Sequence, residues 1–147
     1  LIAGAPEDVK ETIVKFGMDL GVAFQIQDDV LNLIGDREKY GKEIGGDILE
    51  GKRTLILINL LSKCTDDEKH YVIDCLDRNR SEKDMPMVDD VLSLMKKYGC
   101  IEYAIEISQK LARNARATLI GSLDDSIDNE WKSVIVELVD FVVEREL

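Results

Sequence analysis

The sequence contains little histidine or cysteine. His70 is the only histidine among 147 residues, and the three cysteines, Cys64, Cys75 and Cys100, are scattered along the chain. Mechanisms that need a histidine pair, or a metal site with several imidazole ligands, are therefore excluded unless another chain supplies them. The cysteines have neither the paired spacing of a zinc site nor the density of a disulfide-stabilised domain. We interpret them as buried, reduced thiols and His70 as a surface residue.

Basic residues and long apolar runs are also scarce. Nineteen lysines and arginines stand against thirty acidic residues, which gives a formal net charge of -11. A chain of this charge repels a phosphate backbone and an anionic lipid surface, so the composition argues against a nucleic-acid partner. No apolar run approaches the roughly 20 residues that cross a bilayer, and no signal-peptide pattern is found. We expect no stable membrane insertion and a cytoplasmic location.

Hydrophobic residues make up 45% of the chain, enough for one domain with a core. Their spacing favours helices, because apolar residues recur at intervals of three and four and no segment alternates with period two. Pro6, followed by Glu7 and Asp8, predicts a helix that starts there and runs to about Leu33. Further helices are predicted over residues 54–64, 66–78, 88–98 and 101–120, and around 131–142. The predicted fold class is all-α.

The start of the sequence is unusual. The chain begins at Leu1 rather than at methionine, within the apolar run of residues 1–5. Such a run is typical of the end of a preceding buried element. We therefore expect the chain to be part of a longer polypeptide.

The first predicted helix combines an apolar surface with one polar strip. Apolar residues cover most of its directions, which predicts a buried helix. Gln25, Asp28 and Asn32 nevertheless share one face, with Asp29 at its border. Buried carboxylates need a partner, and oxygen ligands without imidazole favour Mg²⁺ held jointly with substrate phosphates. The strip predicts a magnesium and phosphate site; the alternative is a charged helix end exposed where the chain leaves the core.

A glycine-rich segment follows that helix. Five of the ten glycines lie within seventeen residues, between Gly35 and Gly51, interleaved with basic residues. Lys42 and Lys52 each follow a glycine. Glycines let backbone amides approach phosphate oxygens closely, and lysines act on those oxygens as point charges. The composition predicts a long loop suited to a diphosphate.

These two regions together resemble a known family. The run from Gly21 to Asn32, which contains Phe24-Gln25 and Asp28-Asp29, and the run from Gly41 to Thr54 are similar to the second aspartate-rich region of trans-isoprenyl diphosphate synthases of the geranylgeranyl or farnesyl type. The resemblance is close over about residues 4–61. It implies the C-terminal part of the isoprenoid synthase helical bundle, so that residues 1–147 form the C-terminal portion of a single polyprenyl synthetase domain whose N-terminal half is absent.

The resemblance also implies a role for each matching residue. Asp28 would bind Mg²⁺ directly, with Asp29 and Asn32 as supporting metal ligands. Lys42 and Lys52 would hold the allylic diphosphate, Gln25 and Phe24 would contact substrate, and Asp47 would orient the loop. The implied catalytic residues are Asp28, Lys42 and Lys52. Asn32 departs from the family pattern, which has an aspartate there, so the metal site loses a charge but keeps an oxygen ligand.

The implied reaction condenses isopentenyl diphosphate with an allylic prenyl diphosphate. It proceeds by Mg²⁺-dependent ionisation, condensation and proton elimination, in an enzyme expected to be a homodimer at full length. The family's first aspartate-rich motif lies upstream of Leu1, so the fragment alone is expected to be inactive. Two alternatives remain open from the sequence: a non-catalytic regulatory or interaction subunit of a heteromeric prenyl synthase, and a terpene cyclase-like protein.

Overall fold

The computed structural model describes residues 4–35, 44–122 and 129–144, with side chains at all of these except 122, 129–132 and 143–144. These residues contain no β-strand, so the predicted all-α fold class is confirmed. The helices are α1 (Glu7–Ile34), α2 (Gly46–Leu49), α3 (Leu55–Lys63), α4 (Asp66–Asp77), α5 (Met85–Lys97), α6 (Cys100–Ser122) and α7 (Asn129–Glu144), with a 3₁₀ turn at Arg80–Glu82.

The helix ends follow local capping chemistry. Thr65 and Glu68 form a capping box at the start of α4, where the sequence predicts a helix from residue 66. Helix α5 begins three residues before the predicted position, because the Asp84 side chain accepts a hydrogen bond from the backbone N of Met87 at 3.0 Å. Pro86 therefore lies in the first turn of the helix, where its missing N–H costs nothing. The predicted start at residue 88 had left this proline outside the helix.

Part of the predicted glycine-rich loop is a buried helical turn. Residues 46–49 of α2 are all buried, including Ile48 at 2% exposure. Gly45 precedes the turn with φ 77°, a left-handed conformation that glycine adopts without a steric penalty. Both α2 and α3 pack against α5. The prediction of one long open loop was wrong here because its apolar residues reach the core.

The chain divides into two compact units. The first combines residues 4–27 with the described residues from 106 onward. Its core consists of Leu20, Ala23, Ala112, Ala115, Val139 and Val142. In this unit Ser108 is fully buried, and its hydroxyl donates to the carbonyl oxygen of Ala23 at 2.9 Å.

The second unit comprises residues 28–105, of which the structure describes 28–35 and 44–105. Fully buried aliphatic side chains from three helices form its interior: Ile56, Leu57 and Leu60 of α3, Val72 of α4, and Val88, Val91 and Met95 of α5. This unit contains both the end of α1 and the segment that bears α2.

Residues 7–25 of helix α1 are buried along one side only, whereas residues 26–33 are all buried or half-buried, so the sequence prediction of a buried helix is wrong for the first part alone. Five large apolar side chains of its first 18 residues are between 40% and 66% exposed: Ile13, Val14, Met18, Val22 and Phe24. Leu20 and Ala23 of the same stretch lie in the core. The described residues of this chain thus cover only one side of this first part, whereas its composition had suggested contacts all round.

The remaining single-residue predictions were partly met. His70 is exposed, as predicted. Cys75 and Cys100 are buried free thiols whose pKa is raised by burial, whereas Cys64 is only half-buried. Within the described part of the chain, no helix combines the length and the apolar character needed to span a membrane.

Replacing Gly45 by alanine is expected to destabilise the protein more than the same change at Gly99. Both glycines have positive φ, 77° and 63°, so both changes incur backbone strain of about 1–2 kcal/mol. At Gly45 the new Cβ would also lie 2.5 Å from Cγ1 of the buried Val88, whereas at Gly99 its nearest neighbour is 3.9 Å away. Overpacking adds about 1–3 kcal/mol. Urea denaturation of both variants measures the difference, and equal losses would contradict the assigned packing.

Candidate functional site

The end of α1 and the segment around α2 meet in one open pocket of the second unit, with a volume of about 520 Å³. Three carboxylates, two cationic groups and a carboxamide are among its lining residues. These residues are Asp28, Asn32, Gly46, Asp47, Glu50, Lys52 and Arg80. The structure therefore brings the acidic end of α1 together with the glycine-rich segment that follows it.

Asn32 anchors the glycine-rich segment to α1. Its side chain is 9% exposed, and its Oδ1 accepts a hydrogen bond from the backbone N of Asp47 at 3.0 Å. Its carbonyl oxygen accepts a second bond from the backbone N of Gly45 at 2.8 Å. A Cβ at Gly46 would lie 3.5 Å from Asn32 Nδ2, so the segment packs directly on this side chain. Its role as a metal ligand stays a prediction.

Lys52 is held by two carboxylates. Its Nζ donates to Asp47 Oδ1 at 2.6 Å and lies 3.1 Å from Glu50 Oε2, while its backbone N donates to the carbonyl oxygen of Asp47 at 2.9 Å. The hydrogen bonds to Asp47 and Glu50 raise the pKa of Lys52, so the ammonium remains charged. Asp47 is buried and Lys52 is exposed. The two carboxylates thus hold the ammonium of Lys52 in place, and it stays accessible to an anion in the pocket.

Glu50 and Arg80 line the pocket although sequence reasoning did not select them. Arg80 Nη1 lies 3.9 Å from Glu50 Oε1, which places a second cation beside the first. Arg80 belongs to the short turn after α4, between the helices predicted over residues 66–78 and 88–98. No helical periodicity connects it with residues 30 or more positions earlier, so the sequence carried no signal for this contact.

The other predicted residues lie elsewhere or cannot be placed. Phe24 and Gln25 are exposed on α1, within the first unit, and do not line this pocket. Asp29 is half-buried next to Asp28 and is not among the lining residues. Lys42 lies outside the described residues. Gln27, which the sequence reading passed over, is buried at 5% exposure.

The donor set of the pocket suits Mg²⁺ shared with phosphate. Among the residues that the structure describes, no three histidine, cysteine, aspartate or glutamate side chains are grouped to hold a metal. Mg²⁺ is commonly held by one or two carboxylates, with water and substrate phosphates as its remaining ligands. Asp28 offers such a carboxylate at the pocket, with Asp29 beside it. The residues present therefore fit this ion.

Comparison with known proteins gives consistent matches. The family model described as Polyprenyl synthetase matches residues 1–95. A geranylgeranyl diphosphate synthase of Sulfolobus acidocaldarius is 38% identical over 115 residues, which are 78% of this chain and 34% of that protein.

Solved structures show the same similarity. Geranylgeranyl pyrophosphate synthetase from Pyrococcus horikoshii superposes with a TM-score of 0.82 at 32% identity, over 96% of this chain and 41% of that one. Geranylgeranyl pyrophosphate synthase from Corynebacterium glutamicum, in complex with isoprenyl diphosphate and magnesium, gives 0.82 at 25% identity, over 99% and 40%. The chain spans less than half the length of each of these relatives.

Truncating Asn32 to alanine is expected to destabilise the protein by about 1–3 kcal/mol, because the buried amide of Asp47 loses its acceptor. Asn59→Ala is the matched control, since Asn59 Oδ1 is buried and has no hydrogen-bond partner among the described residues, so its truncation removes no such bond there. Urea denaturation gives the change in free energy of unfolding, and hydrogen exchange of the Asp47 amide localises it. Equal costs for the two variants would show that the Asn32–Asp47 bond contributes nothing.

Proposed function

Because this chain belongs to the polyprenyl synthetase family, we propose that it forms the C-terminal portion of a trans-isoprenyl diphosphate synthase. The full-length protein would condense isopentenyl diphosphate with an allylic diphosphate to give a longer trans-prenyl diphosphate. The observation that carries the proposal is the pocket in which Asp28, Asp47 and Lys52 converge. The names of the similar proteins support the same reaction class.

In this proposal the acidic end of α1 binds the metal. Asp28, supported by Asp29 and Asn32, would hold Mg²⁺ at the edge of the pocket. When bound, Mg²⁺ would neutralise charge on the diphosphate leaving group. Asp28 is half-buried, so its carboxylate is accessible yet held by a rigid helix. The magnesium-bound structure of the Corynebacterium relative supports the choice of Mg²⁺ as the metal.

Lys52 is proposed to bind the allylic diphosphate, with Lys42 in the same role. Asp47 and Glu50 keep Lys52 charged and restrict its position before the anion arrives. An incoming diphosphate oxygen would replace part of that contact. Stabilising negative charge on the departing group is the main catalytic task, since the allylic bond breaks heterolytically.

Substrate contact by Phe24 and Gln25 stays part of the proposal. Both residues precede Asp28 by about one helical turn on α1. Exclusion of water would be the second task, because an allylic cation reached by water gives an alcohol. We further propose that the full-length enzyme is a cytoplasmic homodimer and that the 147-residue chain is inactive alone.

The two alternative readings are less well supported. A regulatory subunit would not require a pocket in which carboxylates surround an accessible lysine. A terpene cyclase-like protein would share the metal chemistry, but the glycine- and lysine-rich segment is similar to that of the synthases. The relatives reported above carry synthase or synthetase names.

Asp28→Ala in the full-length protein is expected to lower prenyl transfer by at least about 100-fold and to weaken Mg²⁺-dependent pyrophosphate binding, because transition-state charge loses its stabilisation. Radiolabelled isopentenyl diphosphate measures turnover, and calorimetry with and without Mg²⁺ measures binding. Asp89→Ala, which removes an exposed carboxylate on α5, should leave both unchanged. Undiminished turnover in Asp28→Ala would refute the assignment of the site.

A further inference from the structure

Lys83 is a buried lysine bonded solely to backbone among the residues that the structure describes. It is 8% exposed, and its Nζ donates to the carbonyl oxygens of Ile48 at 3.1 Å, Leu49 at 3.0 Å and Leu76 at 3.0 Å. An ammonium has three N–H donors, so three acceptors satisfy it completely. The side chain is therefore held in one orientation at the centre of three carbonyl groups.

The three carbonyls come from the ends of two helices. Ile48 and Leu49 are the last residues of α2, and Leu76 lies in the last turn of α4. Carbonyls at a helix C-terminus carry partial negative charge, which a cation stabilises, and that of Ile48 also accepts a hydrogen bond from the backbone N of Gly51 at 3.0 Å. Lys83 thus joins the segment around α2 to the end of α4, which lies more than 25 residues further along the chain.

The backbone of Gly51 packs closely against the Leu76 carbonyl and the Lys83 ammonium. Gly51 has φ 69°, and a Cβ there would lie 2.6 Å from the carbonyl oxygen of Leu76 and 3.4 Å from Lys83 Nζ. The next residue is Lys52, whose ammonium donates to Asp47 at 2.6 Å. The lysine that lines the pocket therefore follows Gly51 directly and lies three residues beyond Leu49, whose carbonyl oxygen Lys83 binds.

We propose that Lys83 is a positioning residue, which fixes residues 46–52 in the conformation that presents Asp47 and Lys52 to the diphosphate. Lys83 does not itself line the pocket. An apolar side chain could stabilise this interior as well as an ammonium does, since burying a charge is costly. Three directed hydrogen bonds add orientation, which an apolar contact cannot provide. The inference rests on the proposed function of Lys52.

A double-mutant cycle in the full-length protein tests whether Lys83 acts through Lys52. Lys83→Met is expected to raise the KM for the allylic diphosphate by about tenfold while kcat falls less than about threefold, because ligand placement is disturbed more than the chemistry. In a Lys52→Met background the same change should raise KM by less than about twofold, since coupled residues are not additive. Equal effects in both backgrounds, or an unchanged KM, would overturn the inference.

Lys63→Met is the matched control. Lys63 Nζ also donates to a backbone carbonyl at a helix end, that of Tyr98 at 3.2 Å, but it is exposed, and this bond does not involve residues 46–52. This variant should keep the wild-type KM. Hydrogen exchange provides a readout without turnover: Lys83→Met should lose protection at residues 46–52 and keep it in α5. An equal loss of protection from exchange in all helices would indicate that Lys83 has only a general stabilising role, and it would overturn the proposal.

If Lys83→Met does not fold, Lys83→Arg provides the test. Arginine keeps the charge, but its planar guanidinium cannot donate hydrogen bonds to three converging carbonyl oxygens as a tetrahedral ammonium does. The KM for the allylic diphosphate should therefore still rise by at least about threefold, and an unchanged KM would reject the positioning role. Turnover of Asp28→Ala tests the proposed function separately. If Asp28→Ala is inactive while the Lys83 variants keep a wild-type KM, the positioning inference alone fails.

Discussion

The hydrogen bond from the Asp47 amide to the Asn32 side chain is the contact on which the candidate site depends. Together with the bond from Gly45 to the Asn32 carbonyl oxygen, it ties the glycine-rich segment to the end of α1. Without that tie, Asp28 and Lys52 would belong to independent parts of the chain. Because Asn32 is buried, water competes poorly for its oxygen, and the contact gains strength from its surroundings.

Charge balance in the pocket explains how an acidic protein could bind an anion. Three carboxylates, of Asp28, Asp47 and Glu50, face two cations, of Lys52 and Arg80. This excess of negative charge would repel a diphosphate on its own and attract a divalent cation. The proposed Mg²⁺ would offset this excess of negative charge and so allow the diphosphate to bind. The carboxylates beside Lys52 keep its ammonium charged and in place. Lys83 holds the same segment through hydrogen bonds to three backbone carbonyls.

Sequence reasoning recovered the helices well because helix formation is governed by local rules. Apolar spacing located the long helices, and the Thr65–Glu68 capping box gave the start of α4. It failed where contacts between distant residues overrode composition. Residues 46–49 form a buried turn, and one side of residues 7–25 of α1 is exposed. Packing against distant parts of the chain decides both outcomes, and the neighbouring residues in the sequence do not. The apolar composition of α1 indicates which side chains can be buried, but it does not indicate which residues cover them.

The sequence by itself determined the all-α class, the family, and the acidic strip that includes Asp28 and Asn32, since each is encoded by residues within a few helical turns. Only the tertiary structure decided that Glu50 and Arg80 share the pocket with that strip and that Lys83 is buried against the carbonyl ends of α2 and α4. In the sequence Lys83 resembles any surface lysine of a polar stretch. Its three acceptors lie 7, 34 and 35 residues away, and only the packing of α2 and α4 brings them to one point.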